Sequence, residues 1–451
     1  MSHSDQGNKM GTMPEGKLLV SMSLPMMASF FIQALYNIVD SMFVARISEN
    51  ALTAVSLAFP MQQIMGSITV GVGVGISALV PRYRGMGRKD TADKVIHTGM
   101  FIGFVLCLVF FLLGIFAVGP FYRMQTDVEE IVIGGITYLR IVWMMGIGSF
   151  FGQYFERLLT SSGRASLAMT SMTCGAVFNM IFDPILIFGL GPFPRMGIAG
   201  AAVATVSGQV LAACVGLVLN LKKNEWADLK LRSVFSPDMG LAGDIVKIGF
   251  PSMVTMGLAS LSSFLINQVL LAYSTTATAV YGIWQKLLQF SCMPAYGLNN
   301  AMVPILSYNY GTGAHTRVRK ILRYALIFIV VYMGVLTVVF ESFPHAVLRL
   351  FSASENMMSI GVRALRITVS SLVFSGLNVV LGSSMQALNH SRYALILNIL
   401  KSFVLLAGSF WALSAFFGEL GMLWFALPLA EGLSLAVALY FYRRMVAGLK
   451  L

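Results

Sequence analysis

Long apolar runs recur from one end of this 451-residue chain to the other, each near the roughly 20 helical residues needed to cross about 30 Å of hydrocarbon. Twelve are read, at about 18–43, 52–80, 95–119, 128–160, 165–189, 196–221, 245–273, 277–306, 321–343, 357–387, 392–416 and 421–442. Lipid offers backbone N–H and C=O groups no partner, so such runs must satisfy their own hydrogen bonds as helices. The composition agrees, with 57% hydrophobic and 11% charged residues, whereas a soluble domain has roughly 45–50% and about 25%. A net charge of +12 does not imply a nucleic-acid partner here. The basic residues stand in short clusters between apolar runs, a pattern of membrane topology.

Positive clusters mark the cytoplasmic side of a membrane protein. One set of connections carries 22 Lys and Arg, from Lys9 and Lys17 through Arg82–Lys94, Lys222–Lys247 and Arg317–Arg323 to Arg443, Arg444 and Lys450; the opposite set carries only Arg46, Arg123, Arg195 and Arg349. Both termini are therefore expected in the cytoplasm. The first seventeen residues lack the features of a secretory signal and read as a disordered tail. The four cysteines lie in apolar segments without metal-ligand spacing and read as packing residues. The histidines, His97 among them, fall at loop margins and are expected to be solvated.

The longest polar connection, about 222–240, falls near the middle of the chain. A shift of 226 positions lays Pro25 on Pro251, Gly85 and Gly87 on Gly311 and Gly313, and Lys94 on Lys320. A constant offset over two helices and a loop signals duplication. The expected organisation is a tail (1–17), a six-helix bundle (18–221), a linker (222–244), a second bundle (245–442) and a tail (443–451). The fold class is thus all-α integral membrane, twelve helices as two bundles related by a pseudo-twofold axis along the membrane normal, with a central cavity reached alternately from each side. Pro25 and Pro251 are expected to mark points where helices bend.

Ionisable groups at bilayer depth cost roughly 2.5–3.5 kcal/mol each and call for a partner, a wet cavity or a task. Helix 1 carries Gln33, Tyr36, Asn37 and Asp40 on one stripe, and helix 5 carries Asn179 and Asp183 four residues apart. Tyr138 and Thr205 fall at a similar depth. Paired carboxylates among amide and hydroxyl oxygens suit either a retained proton or a Na+ ion, and the residues leave both open. The second half has no equivalent acids; under the same shift Asn37 and Asp40 fall on Ser263 and Ile266. Instead it buries Lys286, Lys401 and Glu431 near the midplane. These form either an interior charge network or, for the lysines, snorkelling side chains. Arg140 needs either an acid partner or a structural role. No cofactor motif is present; Gly71, Gly73 and Gly75 lack the strand and lysine of a nucleotide loop and suit close helix packing.

The segments MSLPMM, ALYNIVDSMFVARI, PRYRGMGRKDTADK, FNMIFDPILIFGLG and MGIAGAAVATVSGQ together resemble the multidrug and toxic compound extrusion family, more closely its DinF-like bacterial branch. The resemblance implies export of amphipathic, often cationic small molecules across the plasma membrane by a functional monomer in exchange for H+ or Na+. It implies a cation site at Asp40, Asn179, Asp183 and Thr205, with Tyr36 and Tyr138 nearby. The acid used by another branch in helix 7 has no counterpart here. A lipid-linked precursor flippase is the alternative, and would favour extra helices and a more cationic cavity. An enzyme would need a clustered His/Asp, Ser/His or nucleotide motif, and none is found.

Overall fold

The computed structural model of the chain describes residues 9–351 and 354–448, apart from the side chains of Leu231 and Ser260. Every regular element among the described residues is helical. The first bundle comprises α1 (Glu15–Ala45), α2 (Glu49–Gly85), α3 (Lys89–Phe116), α4 (Glu129–Met144 and Ile147–Ser161), α5 (Ala165–Phe188) and α6 (Ile198–Lys223). The second comprises α7 (Met239–Leu271), α8 (Thr275–Gly311), α9 (His315–Ser342), α10 (Glu355–Thr368 and Ser371–Ala387), α11 (Ser391–Ile399, π-helical Leu400–Ala407, then Gly408–Phe417) and α12 (Leu420–Leu423 and Ala426–Gly448). The twelve helices correspond one to one with the apolar runs.

The 226-residue offset reappears in local structure. α2 and α8 begin at Glu49 and Thr275, and α3 and α9 at Lys89 and His315. Each member of the first pair is capped by a serine: Ser48 accepts from Ala51 N at 3.0 Å, and Ser274 from Thr276 N at 3.1 Å. The turns after them use the left-handed conformation at Gly87 (φ 75°) and Gly313 (φ 74°), which glycine adopts without steric cost. Gly163 (φ 81°) is matched by Asn389 (φ 69°). Farther on, Gly189 is matched by Gly418, so the offset has grown to 229, and the π-helical turns of α11 lie in that interval.

The bends differ from expectation. α1 runs unbroken through Pro25 and α7 through Pro251. Bends of 44° and 45° occur instead in α4 and α10, at breaks after Met144 and Thr368. α7 continues past Pro251, whose carbonyl accepts from Thr255 Oγ1 at 2.6 Å and from Asn398 Nδ2 at 3.4 Å.

The bundles touch chiefly toward the face carrying the basic connections. There α2 crosses α7 with Gly71 against Gly249 and Gly75 against the carbonyl of Ile245, and Gly85 and Gly311 let the ends of α2 and α8 meet. A Cβ added at Gly297 would lie 2.7 Å from Met27 N. Only glycine permits such backbone approach. Arg157 Nη1 donates to Asn300 Oδ1 at 2.8 Å, and Arg82 Nη2 to the carbonyl of Ala387 at 2.7 Å. Toward the other face, large side chains such as Leu35, Ile38, Phe59 and Phe264 remain uncovered.

The terminal and linking segments are more ordered than a tail and a loop. Residues 1–8 and 449–451 lie outside the described residues, but Lys9–Thr12 is a helical turn with Met10 fully buried. Arg317 Nη2 donates to the carbonyls of Met10 at 3.2 Å and Met13 at 2.6 Å, and Asn309 Nδ2 to Met10 at 3.0 Å. Lys9 lies against Gly163 of the first bundle; burial, then the neighbouring Arg164, push its ammonium below the usual lysine range. In the linker, Trp226 stacks on Tyr308 at 5.7 Å and its carbonyl accepts from Arg84 at 2.9 Å. His97 is buried rather than solvated, because its Nε2 accepts from Lys230 N at 3.2 Å.

Candidate functional site

The first bundle gathers its polar residues where α1 packs on α5 and α5 on α6. Asp183 is fully buried and Asn179 nearly so. Pro184 lacks an N–H, so the carbonyl of Met180 has no helical donor beside these residues. The Asn179 amide is best oriented with its nitrogen donating to Asp183 Oδ2 at 3.2 Å and its oxygen accepting from Thr205 Oγ1 at 3.3 Å and Thr205 N at 3.2 Å. Asp40 and Asp183 lie close enough for their carboxyls to act on each other electrostatically. Two neighbouring buried carboxyls cannot both ionise cheaply, so the pair favours keeping a proton on one of them. Asp40 Oδ1 is buried without a partner, an oxygen left open for a proton or a small cation.

Tyr138 is buried on α4 and accepts from Gln62 Nε2 of α2 at 3.2 Å. Tyr36 stands one turn after Gln33 on α1 and lies in the field of both aspartates. Asn37 is exposed, its carbonyl taking Ser41 Oγ at 2.8 Å. The structure thus brings together Asp40, Asn179, Asp183 and Thr205, sets Gln33, Tyr36 and Tyr138 beside them, and turns Asn37 outward. Gln62 was missed by sequence reasoning. Its signal was an amide near Pro60 in an otherwise apolar stretch of α2.

In the second bundle Lys401 Nζ meets Glu431 Oε1 at 2.9 Å. Asn378 Nδ2 of α10 donates to Glu431 Oε2 at 2.8 Å and to its carbonyl at 3.1 Å. Lys401 stands in the π-helical turns of α11, the kind of irregularity that accommodates an inserted residue at a point of special geometry. Lys286 does not join: it is exposed on α8, and among the described residues it forms no ion pair. The helical rotation of α8 decides this, since depth alone placed it level with the pair. Asn378 takes the third position, and its signal was an amide within an apolar span. Ser263 accepts from Gln285 Nε2 at 3.0 Å. Arg140 has no acid partner among the described residues; its Nε donates to the carbonyl of Gly114 at 3.3 Å, tying α4 to α3.

Twelve helices in a duplicated pair of bundles, with a pair of neighbouring aspartates in one of them and a Lys401–Glu431 ion pair in the other, define a multi-pass membrane transporter. The MatE family model matches residues 25–185 and again 251–411, two stretches displaced by 226 residues at both ends. The chain belongs to the MatE family, the multidrug and toxic compound extrusion transporters that its motifs resemble. It is 26% identical to the FAD transporter of Shewanella oneidensis over 96% of this chain and 95% of that protein. It is equally 26% identical to the multidrug export protein MepA of Staphylococcus saprophyticus, over 94% and 93%. The fold matches that of a solved MOP superfamily transporter from Pyrococcus furiosus with a TM-score of 0.90, at 24% identity over 99% of both chains.

Proposed function

We propose that this chain is a secondary antiporter that exports amphipathic, often cationic small molecules from the cytoplasm in exchange for a cation, working as a monomer in the plasma membrane with both termini inside. The observation that carries the reading is the pair of neighbouring acids Asp40 and Asp183 in the first bundle, with a buried, unpartnered carboxyl oxygen on Asp40. Its likeness to proteins named multidrug export protein supports the direction of transport. H+ fits the pair better than Na+, because two neighbouring buried carboxyls are most stable when one of them keeps a proton. Thr205, Asn179 and Asp183 offer oxygens to Na+ as the second option.

Contacts between the bundles are concentrated toward the basic face, which fits a state open to the outside. Arrival of the external ion at Asp40 and Asp183 would favour the opposite arrangement and release the exported compound. Such coupling requires unequal ion affinity in the two states, since equal affinity shifts nothing. The test is reconstitution into liposomes with imposed pH or Na+ gradients while a fluorescent organic cation is followed. Export driven by a pH gradient alone supports H+ coupling. Transport indifferent to both gradients overturns the antiport reading.

A further inference from the structure

A cavity of about 630 Å³ opens between α3 of the first bundle and α7 and α11 of the second. Its walls are apolar, with Ile102, Val246, Phe250 and Leu395, and two cations, Lys247 and Arg392, line it together with Ser391. Lys247 lies eight residues from the start of α7 at Met239 and Arg392 one residue into α11, so the charges sit near the basic end. Val246 and Phe250 are exposed, and the apolar wall continues toward the bilayer centre.

The polar rim lacks internal partners. Among the described residues neither Lys247 nor Arg392 forms an ion pair. Ser391 is only 6% exposed, yet its hydroxyl has no hydrogen-bond partner, a loss that a buried polar group does not normally bear. Ser391 is also the first residue of α11, whose His390 cap contributes no side-chain bond, so first-turn N–H groups and the positive helix end face the same place. The nearby acid, Asp244, lies within the field of Arg82 and is not in the lining.

The duplication shows that these charges are not imposed by the fold. Under the 226 shift Lys247, Ser391 and Arg392 correspond to Ser21, Ala165 and Ser166, a neutral set in the first half.

We propose that this cavity is a binding site for one anionic phospholipid, its phosphate held by Lys247, Arg392, the Ser391 hydroxyl and the start of α11, and its acyl chains lying along Ile102, Val246, Phe250 and Leu395. Two cations, a helix N-terminus and an apolar channel match a phosphodiester joined to hydrocarbon. A lipid seated there touches both bundles and favours the arrangement in which α3 lies against α7.

The experiment uses the full-length protein in mild detergent, incubated with equal amounts of phosphatidylglycerol and phosphatidylcholine, and counts retained lipid by native mass spectrometry. One phosphatidylglycerol per chain should be retained in preference to phosphatidylcholine. Lys247→Gln with Arg392→Gln should lower its retention on the order of tenfold, Ser391→Ala several-fold without any change of charge, and Arg392→Lys little. Lys222→Gln with Lys223→Gln, two basic residues of the same face outside the cavity, should leave retention unchanged. Equal retention of both lipids by the unaltered protein overturns the proposal, as does undiminished retention in the Lys247 and Arg392 variant. Equal loss in the Lys222 and Lys223 variant would reduce the effect to general surface charge. Displacement of the lipid by millimolar inorganic phosphate would show that the rim reads free anions, and would also overturn it.

Discussion

Arg157 of α4 donates through Nη1 to Asn300 Oδ1 of α8 at 2.8 Å, so the two bundles are joined by a buried, charge-assisted hydrogen bond. It lies beside Gly73, where an added Cβ would come within 3.0 Å of the Arg157 side chain. Opening the basic face would have to break this bond along with the α2–α7 glycine contact.

Arg157→Ala and Asn300→Ala should therefore each shift the protein toward the arrangement open on the basic face. Loss of a bond to a charged group is worth roughly 1.5–3 kcal/mol, enough to change the ratio of the two states by about tenfold or more. Spin labels at the inner ends of α2 and α8 would report the distance. An unchanged distribution in both variants would remove this bond from the closure.

Asp40→Asn and Asp183→Asn should each reduce gradient-driven export to the level of protein-free liposomes while the protein remains folded and inserted. An amide cannot take up the proton or supply the charge, yet it keeps the shape. Wild-type export by both variants, with unchanged ion dependence, would move the coupling site elsewhere, with Lys401 and Glu431 next to be tested.

Glu431→Gln should lower thermal stability in detergent, because it leaves Lys401 without its anion. Breaking a buried pair costs about 3–5 kcal/mol, and the partial exposure of both side chains places the expected loss toward or below the low end. Lys286→Ala should stay within about 0.5 kcal/mol of wild type, as exposed side chains usually do. A thermal scan of the two variants distinguishes them, and equal effects would contradict the pairing.

Arg317→Ala should release the turn at Lys9–Thr12, which Arg317 and Asn309 hold by its carbonyls. Trypsin should then cut after Lys9 about tenfold faster, given the 1.5–3 kcal/mol range for hydrogen bonds to charged groups. Unaltered cleavage would mean that Asn309 and the buried Met10 suffice to anchor the segment.

The apolar runs by themselves determined the twelve helices, and the 226-residue offset determined the duplication, because hydrocarbon solvent allows so few backbone arrangements that length and periodicity suffice. Asp40 and Asp183 were legible for the same reason. An acid in an apolar span stands out, and three- and four-residue spacings fix which helix face it shares. Only the tertiary structure decided which side chains meet across helices. It set Asn378 rather than Lys286 beside Glu431, gave Arg140 the carbonyl of Gly114, buried His97 under Lys230, and moved the bends from Pro25 and Pro251 to the breaks in α4 and α10. Those outcomes depend on the rotation of each helix about its axis and on neighbours hundreds of residues away. A local pattern records the depth of a residue; the direction in which it points is set by packing.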